Sequence, residues 1–207
     1  LSGGSQPVVN VSWADAVRYL NWLSERDGLP PAYRRQNEGQ SGEESESYVL
    51  VMPPTTGYRL PTEAEWAYAS RYADRASPFK YPWGEGFPPG AGAGNYADAA
   101  ATAIVPNRVP GYDDGFAVSA PVGTFAANPA GIRDLGGNVA EWCHDFYAIP
   151  VPGGVETDPM GPPSGRHHVV RGASWRHAGV SELRLSYRDY SDRPREDLGF
   201  RIARYAQ

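Results

Sequence analysis

The sequence has one cysteine, an excess of acidic residues and no long apolar run. Cys143 has no second cysteine to pair with, which excludes an internal disulfide framework and a structural zinc site built on cysteines. The formal net charge of −5 and the lack of a run of lysine and arginine argue against a nucleic-acid binder, because phosphate recognition needs a basic surface. No apolar run reaches the roughly 18 residues that a membrane-spanning helix needs.

The first ten residues, LSGGSQPVVN, lack the basic and apolar parts of a signal peptide. The compartment therefore stays open, an extracytoplasmic or cell-surface location included. A chain of 207 residues with 41% hydrophobic and 21% charged residues is long enough to bury a core as one globular domain.

Glycine and proline are abundant, with 24 and 20 residues in the chain. Both exceed typical fractions of roughly 7% and 5%, which predicts many turns and irregular loops and few long helices. Six tryptophans and thirteen tyrosines are large enough to anchor such loops to a core.

Two helices are predicted from their capping residues. Ser12 and Asp15 form a capping box before apolar residues at helical spacing, which predicts a helix over Trp13 to Arg26. The stretch RLPTEAEWAYASR predicts a second helix, with Thr62 and Glu65 as its capping box.

The remaining patterns predict short strands and loops. Residues 30–47 are polar and are expected to form an exposed insertion. Short strands are predicted at YVLVM, HHVVRGASW, ELRLSYR and GFRIARY, whose alternation suits a small antiparallel sheet. The prediction is one α+β domain over residues 1–207, with two main helices and low secondary-structure content.

Long loops need partners for their backbone groups, and calcium is a candidate because it accepts carboxylate, amide and carbonyl oxygens in flexible geometry. In RDLGGNVAEW, Asp134 and Glu141 flank glycines that would let carbonyls turn toward one cation. Asn95, Asp113 and Asp114 offer a second group of oxygens. The alternative is that these residues form Asx turns and solvated acids.

Several motifs together resemble the formylglycine-generating enzyme (sulfatase-modifying factor) family. They occur in the order NVSWADAVRYLNWL, YRLPTEAEWAYASR, PWG, DGF, PVGTFAANPAGIRDLGGNVAEW, VVRGASW and LGFRIA, and extend over nearly all of the chain. The resemblance implies a variant of the C-type lectin fold with bound calcium. The strand and EVT-like stretch that precede the first helix in that family are not found in the first nine residues.

The resemblance also implies two calcium sites. In the first, the ligands would be Asn95, the carbonyl of Tyr96, Asp114 and the carbonyl of Phe116. In the second, they would be Asp134, the carbonyls of Leu135, Gly137 and Val139, and Glu141.

The family's oxidase activity depends on two cysteines that bind copper after a GGSW-like motif. Here the first position holds Arg176, and the second falls at Val180 or Ser181. Soft thiolates are the ligands that Cu(I) needs, so formylglycine generation is expected to be lost. Cys143 matches no catalytic position and is expected to be a small buried residue.

Some relatives of this family are non-heme iron enzymes with a histidine cluster on another domain. His167 and His168 are adjacent in a predicted strand and would point to opposite faces, and His144 and His177 are isolated in sequence. An oxidoreductase that uses a metal other than cysteine-bound copper, including a three-histidine iron site built from distant residues, is the alternative function.

The resemblance implies that the segment after GASW lines an exposed surface where the enzymes of the family hold substrate. The side chains of this segment can bind a carboxylate, a phosphate, a sugar or a peptide, and arginine and tyrosine are favoured at interaction hot spots. The same layout resembles the variable proteins of diversity-generating retroelements, which display changeable residues on this scaffold. The alternative is a solvated charged face. The candidate surface residues are Arg176, His177, Ser181, Arg184, Arg188, Asp189, Tyr190, Asp192 and Arg193.

The sequence thus predicts a non-catalytic, calcium-stabilised domain that binds a protein, a peptide or a small polar ligand at its C-terminal surface. A regulatory or assembly module fused to a kinase or another partner is a third interpretation.

Overall fold

The computed structural model describes residues 4–36, 47–72, 78–150 and 153–205. Within these ranges two helices and six short strands are joined by long irregular segments, which confirms the predicted α+β class and the low secondary-structure content. In chain order the elements are α1 (Trp13–Arg26), β1 (Tyr33–Arg35), β2 (Tyr48–Leu50), α2 (Glu63–Ala67), a π-helical turn (Tyr68–Tyr72), β3 (Ala140–Phe146), β4 (His168–Arg171), β5 (Arg188–Ser191) and β6 (Leu198–Phe200).

Both helices begin at the predicted capping boxes. At α1 the Ser12 side chain accepts a hydrogen bond from the Asp15 backbone, and the Asp15 side chain accepts one from the Ser12 backbone. Thr62 and Glu65 make the same reciprocal pair at α2. The second helix is shorter than predicted, because its regular α-helical part ends at Ala67 and continues as the π-helical turn.

The larger sheet has the strand order β5-β4-β3-β6. Strand β4 pairs antiparallel with β3 and β5, whereas β6 runs parallel to β3 and departs from the predicted antiparallel pairing. The parallel pair is possible because the chain between β3 and β6 is long enough for a crossover.

The predicted strand ELRLSYR is wrong. Residues 180–186 form successive turns, in which Leu183 N donates to Gly179 O at 3.0 Å and Tyr187 N donates to Arg184 O at 2.9 Å. Leu183 and Leu185 are buried, so the alternating pattern was real, but turns rather than a strand produce it.

The prediction of an exposed insertion over residues 30–47 is wrong at its start. Ala32 and Tyr33 are each 2% exposed, and Tyr33 pairs with Leu50 in the two-stranded sheet β1-β2. The Tyr33 ring packs edge-on against Trp13 with 5.8 Å between ring centroids, so one aromatic side chain fixes this polar segment to the core. Residues 37–46 lie outside the described residues.

The four-stranded sheet separates two buried clusters. On one face Trp142 and Val170 pack with the apolar side of α1, and on the other Cys143 and Val169 pack with Trp66 of α2. This division follows from the alternation of side chains along β3 and β4. Neither of the helices in the described ranges is long and apolar enough to cross a bilayer.

Residues 78–139 form neither helix nor strand, apart from one bridge between Tyr81 and Gly84. In this segment hydrogen bonds from asparagine side chains replace the backbone hydrogen bonds that strands would make. Asn138 accepts from Ala120 N at 2.9 Å and donates to Ala120 O at 3.1 Å, and Asn128 accepts from Ile132 N at 3.0 Å. The predicted sparse regular structure is therefore confirmed, with hydrogen bonds from side chains holding the loops.

The environment of His168 in the sheet predicts that the stability of the fold depends on pH. Its ring stacks on Trp13 at 3.9 Å, and burial lowers the pKa of His168 from 6.5 to about 4. Because the unfolded chain binds this proton more tightly, stability that is present above pH 6.5 is lost as the pH falls toward 4. When the pH is lowered from about 7 to about 4.5, the unfolding free energy of wild type should therefore fall. In His168→Phe, which lacks this histidine, the fall should be smaller by about 2 kcal/mol.

Urea denaturation at the two pH values measures this difference. Identical pH dependence in both proteins would show that His168 does not contribute.

Candidate functional site

Arg176 lies in an exposed turn after β4, at the position that the resemblance assigns to the first catalytic cysteine. Its guanidinium pairs with Glu196 and lies 5.4 Å from the centre of the Trp175 ring. Two cavities meet at this residue. One, of about 450 Å³, is lined by Arg176, His177, Arg195, Glu196 and Asp197. The other, of about 760 Å³, includes Arg108, Tyr112, Asp113, Arg176 and Glu182.

Ser174, His177 and Asp197 meet beneath Arg176, but they do not form a catalytic triad. Ser174 is fully buried, and its hydroxyl donates to Asp197 Oδ2 at 2.7 Å. His177 Nδ1 accepts from Ser174 N at 2.9 Å, and burial lowers the pKa of His177. A serine that solvent cannot reach is unable to attack a substrate, so these contacts hold the turn in place.

Arg195 connects this turn to β5. Its Nη1 lies 2.8 Å from Asp189 Oδ2, and its Nε lies 3.4 Å from Asp197 Oδ1. The remaining Nη2 is buried without a hydrogen-bond partner. Arg195 thus fixes the wall of the smaller cavity against β5.

The other face of β5 carries an aromatic cluster. Tyr190 is 47% exposed, and its ring centroid lies 4.6 Å from that of Tyr147 and 4.9 Å from that of His167. Asp192 Oδ2 lies 3.6 Å from His167 Nδ1. Arg188 binds both carboxylate oxygens of Glu63, with Nη2–Oε2 at 2.7 Å, so it ties β5 to the start of α2.

The nine predicted surface residues are therefore not brought together on one face. Arg176, His177 and Asp189 belong to the face with the two cavities, whereas Arg188, Tyr190 and Asp192 belong to the face with Tyr147. Alternation along β5 produces this division. The exposed residues Ser181, Arg184 and Arg193 lie in the flanking turns and bends.

Sequence reasoning missed Arg195, Glu196 and Asp197. These residues form most of one wall of the smaller cavity. The signal was present, because the acidic and basic run PRED directly precedes the motif LGFR.

The first predicted calcium group is brought together in the structure. Asp114 accepts from Tyr96 N and from Phe116 N, each at 2.9 Å. Asn95 is fully buried and donates through Nδ2 to Val118 O at 2.8 Å. A further buried acid, Asp98, accepts from Asp114 N and was not predicted.

Two carboxylates thus lie next to each other in this group. Burial and, to a smaller extent, the neighbouring Asp98 raise the pKa of Asp114 to about 6. Among the residues that the structure describes, no ion pair to lysine or arginine involves either acid. A cation at this position would relieve the repulsion between them.

In the second predicted calcium group, Asp134 accepts from Gly123 N at 2.7 Å, and burial raises its pKa. Glu141 is 4% exposed and is already partnered: both of its oxygens lie 2.6 Å from Arg201 nitrogens, and Trp66 Nε1 donates to it at 2.7 Å. Arg201 is thus an internal ion-pair partner of Glu141. The remaining predicted ligands, Leu135, Gly137 and Val139, lie in the buried segment between Asp134 and β3.

One of the two adjacent glycines in this segment, Gly136, is required by its backbone conformation and by its close neighbours. Its φ is +85°, and an added Cβ would lie 2.8 Å from side-chain atoms of Leu185 and Pro82. Only glycine fits this conformation and this space.

The predicted ligands include two orphaned oxygens. Asn95 Oδ1 and Asp134 Oδ1 are both buried without a hydrogen-bond partner, and both residues line a cavity of about 160 Å³. Unpaired buried oxygens of this type fit a hard cation such as calcium. No group of three or more His, Cys, Asp or Glu residues in the described ranges could hold a metal, so a site here would depend on backbone carbonyls.

Cys143 and the histidines of the sheet are not exposed for catalysis. Cys143 is fully buried in β3, and desolvation raises the pKa of its thiol well above the usual value. His144 and His168 are half-buried, and desolvation lowers their pKa values to about 4. As the sequence predicted, His167 and His168 face opposite sides: His168 stacks on Trp13, whereas His167 contacts Tyr190.

Comparison with known proteins agrees with the motifs. The chain is 29% identical over 192 residues to the chaperone protein LppX of Paenibacillus barcinonensis, with 89% of this chain and 64% of that protein covered. It is 33% identical over 177 residues to the formylglycine-generating enzyme of Thermomonospora curvata, with 83% and 45% covered. The chain therefore spans about half to two thirds of the length of these relatives.

Among solved structures, the Treponema denticola variable protein 1 has a TM-score of 0.70 and 26% identity, covering 96% of this chain and 71% of that one. The sequence profile described as "Sulfatase-modifying factor enzyme 1-like domain" matches residues 2–206. The chain thus belongs to the sulfatase-modifying factor enzyme 1-like domain family, and its fold is the family's variant of the C-type lectin fold.

Proposed function

We propose that this chain is a non-catalytic, calcium-stabilised domain that binds a ligand at the surface around Arg176. The observation that carries the proposal is the replacement of the copper-binding cysteines. Where the resemblance places the first thiolate, the exposed Arg176 pairs with Glu196 between two cavities of about 450 and 760 Å³. A guanidinium does not bind Cu(I), but it is well suited to recognise acceptor groups.

The composition of this surface supports binding. It offers the exposed Arg176 fork at both cavities, with Arg195 in the wall of the smaller one. Arginine is favoured at binding hot spots. The partner is a protein, a peptide or a small polar ligand with hydrogen-bond acceptors, and the likeness to a variable protein fits such a display role.

Calcium would supply the positive charge that the buried acids lack. Asn95, Asp114 and the carbonyls of Tyr96 and Phe116 would hold one ion. Asp134 and Glu141, with the carbonyls of Leu135, Gly137 and Val139, would hold the other. The support is the pair of orphaned oxygens on Asn95 and Asp134 and the raised pKa values of Asp114 and Asp134.

The alternative is an oxidoreductase of the same family that uses a metal other than cysteine-bound copper. It is favoured by the relatives, several of which are formylglycine-generating enzymes. The two functions differ in the metal that the purified protein carries and in oxygen chemistry.

The calcium proposal predicts a melting temperature that depends on calcium. Wild type should melt roughly 5 °C higher in millimolar calcium than in chelator, because an ion bound only to the folded state stabilises it. Asp114→Asn should lose a large part of this gain, because the half-buried Asp114 would be a charged ligand. Asp113→Asn is the matched control, since Asp113 is the exposed neighbour, and it should keep the gain.

Differential scanning calorimetry of the three proteins measures these shifts. Equal melting temperatures of wild type with calcium and with chelator would end the calcium proposal.

The lack of thiolates predicts no oxidase activity. With a cysteine-containing peptide and added copper or iron, the purified protein should consume no more oxygen than a protein-free control in an oxygen-electrode assay. Elemental analysis should find calcium without stoichiometric copper or iron. Thiol-dependent oxygen uptake, or bound copper or iron, would favour the oxidoreductase instead.

If the ligand binds at the surface around Arg176, a mutation of Arg176 should weaken binding and a mutation far from it should not. Peptides selected on wild type from a displayed library should bind Arg176→Ala at least about tenfold more weakly, because a lost charge-assisted hydrogen bond is worth more than about 1.4 kcal/mol. Arg34→Ala, which removes an exposed arginine of β1, should bind them as wild type does. Surface plasmon resonance gives the affinities, and equal binding by Arg176→Ala would place the ligand elsewhere.

A further inference from the structure

A third cavity, of about 650 Å³, lies on the α2 side of the sheet and shares no lining residue with the cavities at Arg176. We call it the arginine cavity. Its volume is in the range of small-molecule sites. It is lined by Glu63, Ala64, Ala67 and Arg71, by Asp145, Phe146, Ala148, Ile149 and Pro150, by Glu156, Pro159, Gly161 and Pro162, and by Arg171, Ser186 and Arg188.

Two of the three arginines that line the arginine cavity, Arg171 and Arg188, bind one carboxylate, that of Glu63. Glu63 is bound through both oxygens by Arg188, and Arg171 Nη1 lies 3.5 Å from Glu63 Oε1. Arg171 donates its terminal nitrogens to the carbonyls of Tyr187 and Leu185, at 2.6 and 2.8 Å. Glu63 is therefore occupied by these two cations.

Arg71, the third arginine, comes from the π-helical turn. Within the described parts of the chain no carboxylate forms an ion pair with Arg71, whose guanidinium lies 5.7 Å from the centre of the Tyr72 ring. Its Nε–H is buried without a hydrogen-bond partner, and so is the Nε–H of Arg171. Burial lowers the pKa of Arg171, and the cations Arg188 and Arg71 add to this effect, which shows that the three charges lie near each other.

Three acids line the arginine cavity, so its acids and its arginines are equal in number. Asp145 is 4% exposed and accepts from Glu63 N at 2.7 Å, and burial raises the pKa of Asp145 to about 6. Glu156 is exposed. Since none of these acids forms an ion pair with Arg71 among the described residues, Arg71 is the place where an added anion would bind.

Most of the remaining lining is apolar, with two alanines of α2, Phe146, Ile149 and three prolines. Ile149 is 82% exposed. We propose that the arginine cavity binds a small organic acid, whose carboxylate or phosphate group pairs with Arg71 and whose apolar body lies against this wall. Arginine is suited to both head groups because its planar fork matches their oxygens.

Isothermal titration calorimetry with phenyl phosphate, benzoate and the neutral benzyl alcohol tests the proposal on the whole chain. At least one anion should bind to wild type, and the neutral probe should not. Arg71→Gln should weaken the binding of that anion at least about tenfold, the effect of losing one charge-assisted pair. Arg71→Lys should lie between the two, because it keeps the charge and loses the fork.

Two controls separate this cavity from the rest of the surface. Arg176→Gln should bind the anion as wild type does, which also makes the result independent of the function proposed for the Arg176 surface. Arg166→Gln removes an arginine side chain that is 84% exposed and should likewise have no effect. The proposal is overturned if neither anion binds at millimolar concentration, if benzyl alcohol binds as tightly, or if Arg71→Gln binds as wild type does.

Discussion

The fold of the domain depends on the contacts made by the buried carboxylate of Glu141. It belongs to the central strand β3, and it binds the indole of Trp66 from α2 and the guanidinium of Arg201 from the segment after β6. A charge at 4% exposure is stable only when it is paired and hydrogen-bonded, so these three parts of the chain must assemble together. Since α2, β3 and the C-terminal segment are far apart in sequence, one side chain here fixes the relative position of most of the fold.

The loops depend on the same principle applied to neutral groups. Asn138 holds Ala120 through two hydrogen bonds, and Asn128 holds both its own turn and Ala69 of the π-helical turn. In a segment of about sixty residues without helix or strand, these amides satisfy backbone groups that a ladder would otherwise pair. The same segment contains the orphaned oxygens of Asn95 and Asp134, where side chains leave acceptors unpaired and a cation is the proposed partner.

Local signals predicted the parts of the fold that local chemistry determines. The helix from Trp13 to Arg26 was confirmed because its capping box and apolar spacing lie within one stretch of sequence. The burial of Tyr33 was not predictable in this way, since it depends on contacts with Trp13 and His144. The turns at Leu183 and Leu185 were not predictable either, since the Leu185 backbone is bound by the distant Lys80. The division of the predicted surface required the exact start of β5 at Arg188, because a shift of one residue exchanges the two faces.

Arg188 also limits how this scaffold tolerates sequence change. The stretch from Arg176 to Arg193 reads as one polar segment, yet Leu183 and Leu185 fill the core and Arg188 binds Glu63. A combinatorial repertoire built on this domain would therefore have to keep those three positions constant. Freedom to mutate is confined to the outward-facing turns, so diversity in this segment would be interrupted along the chain by fixed positions.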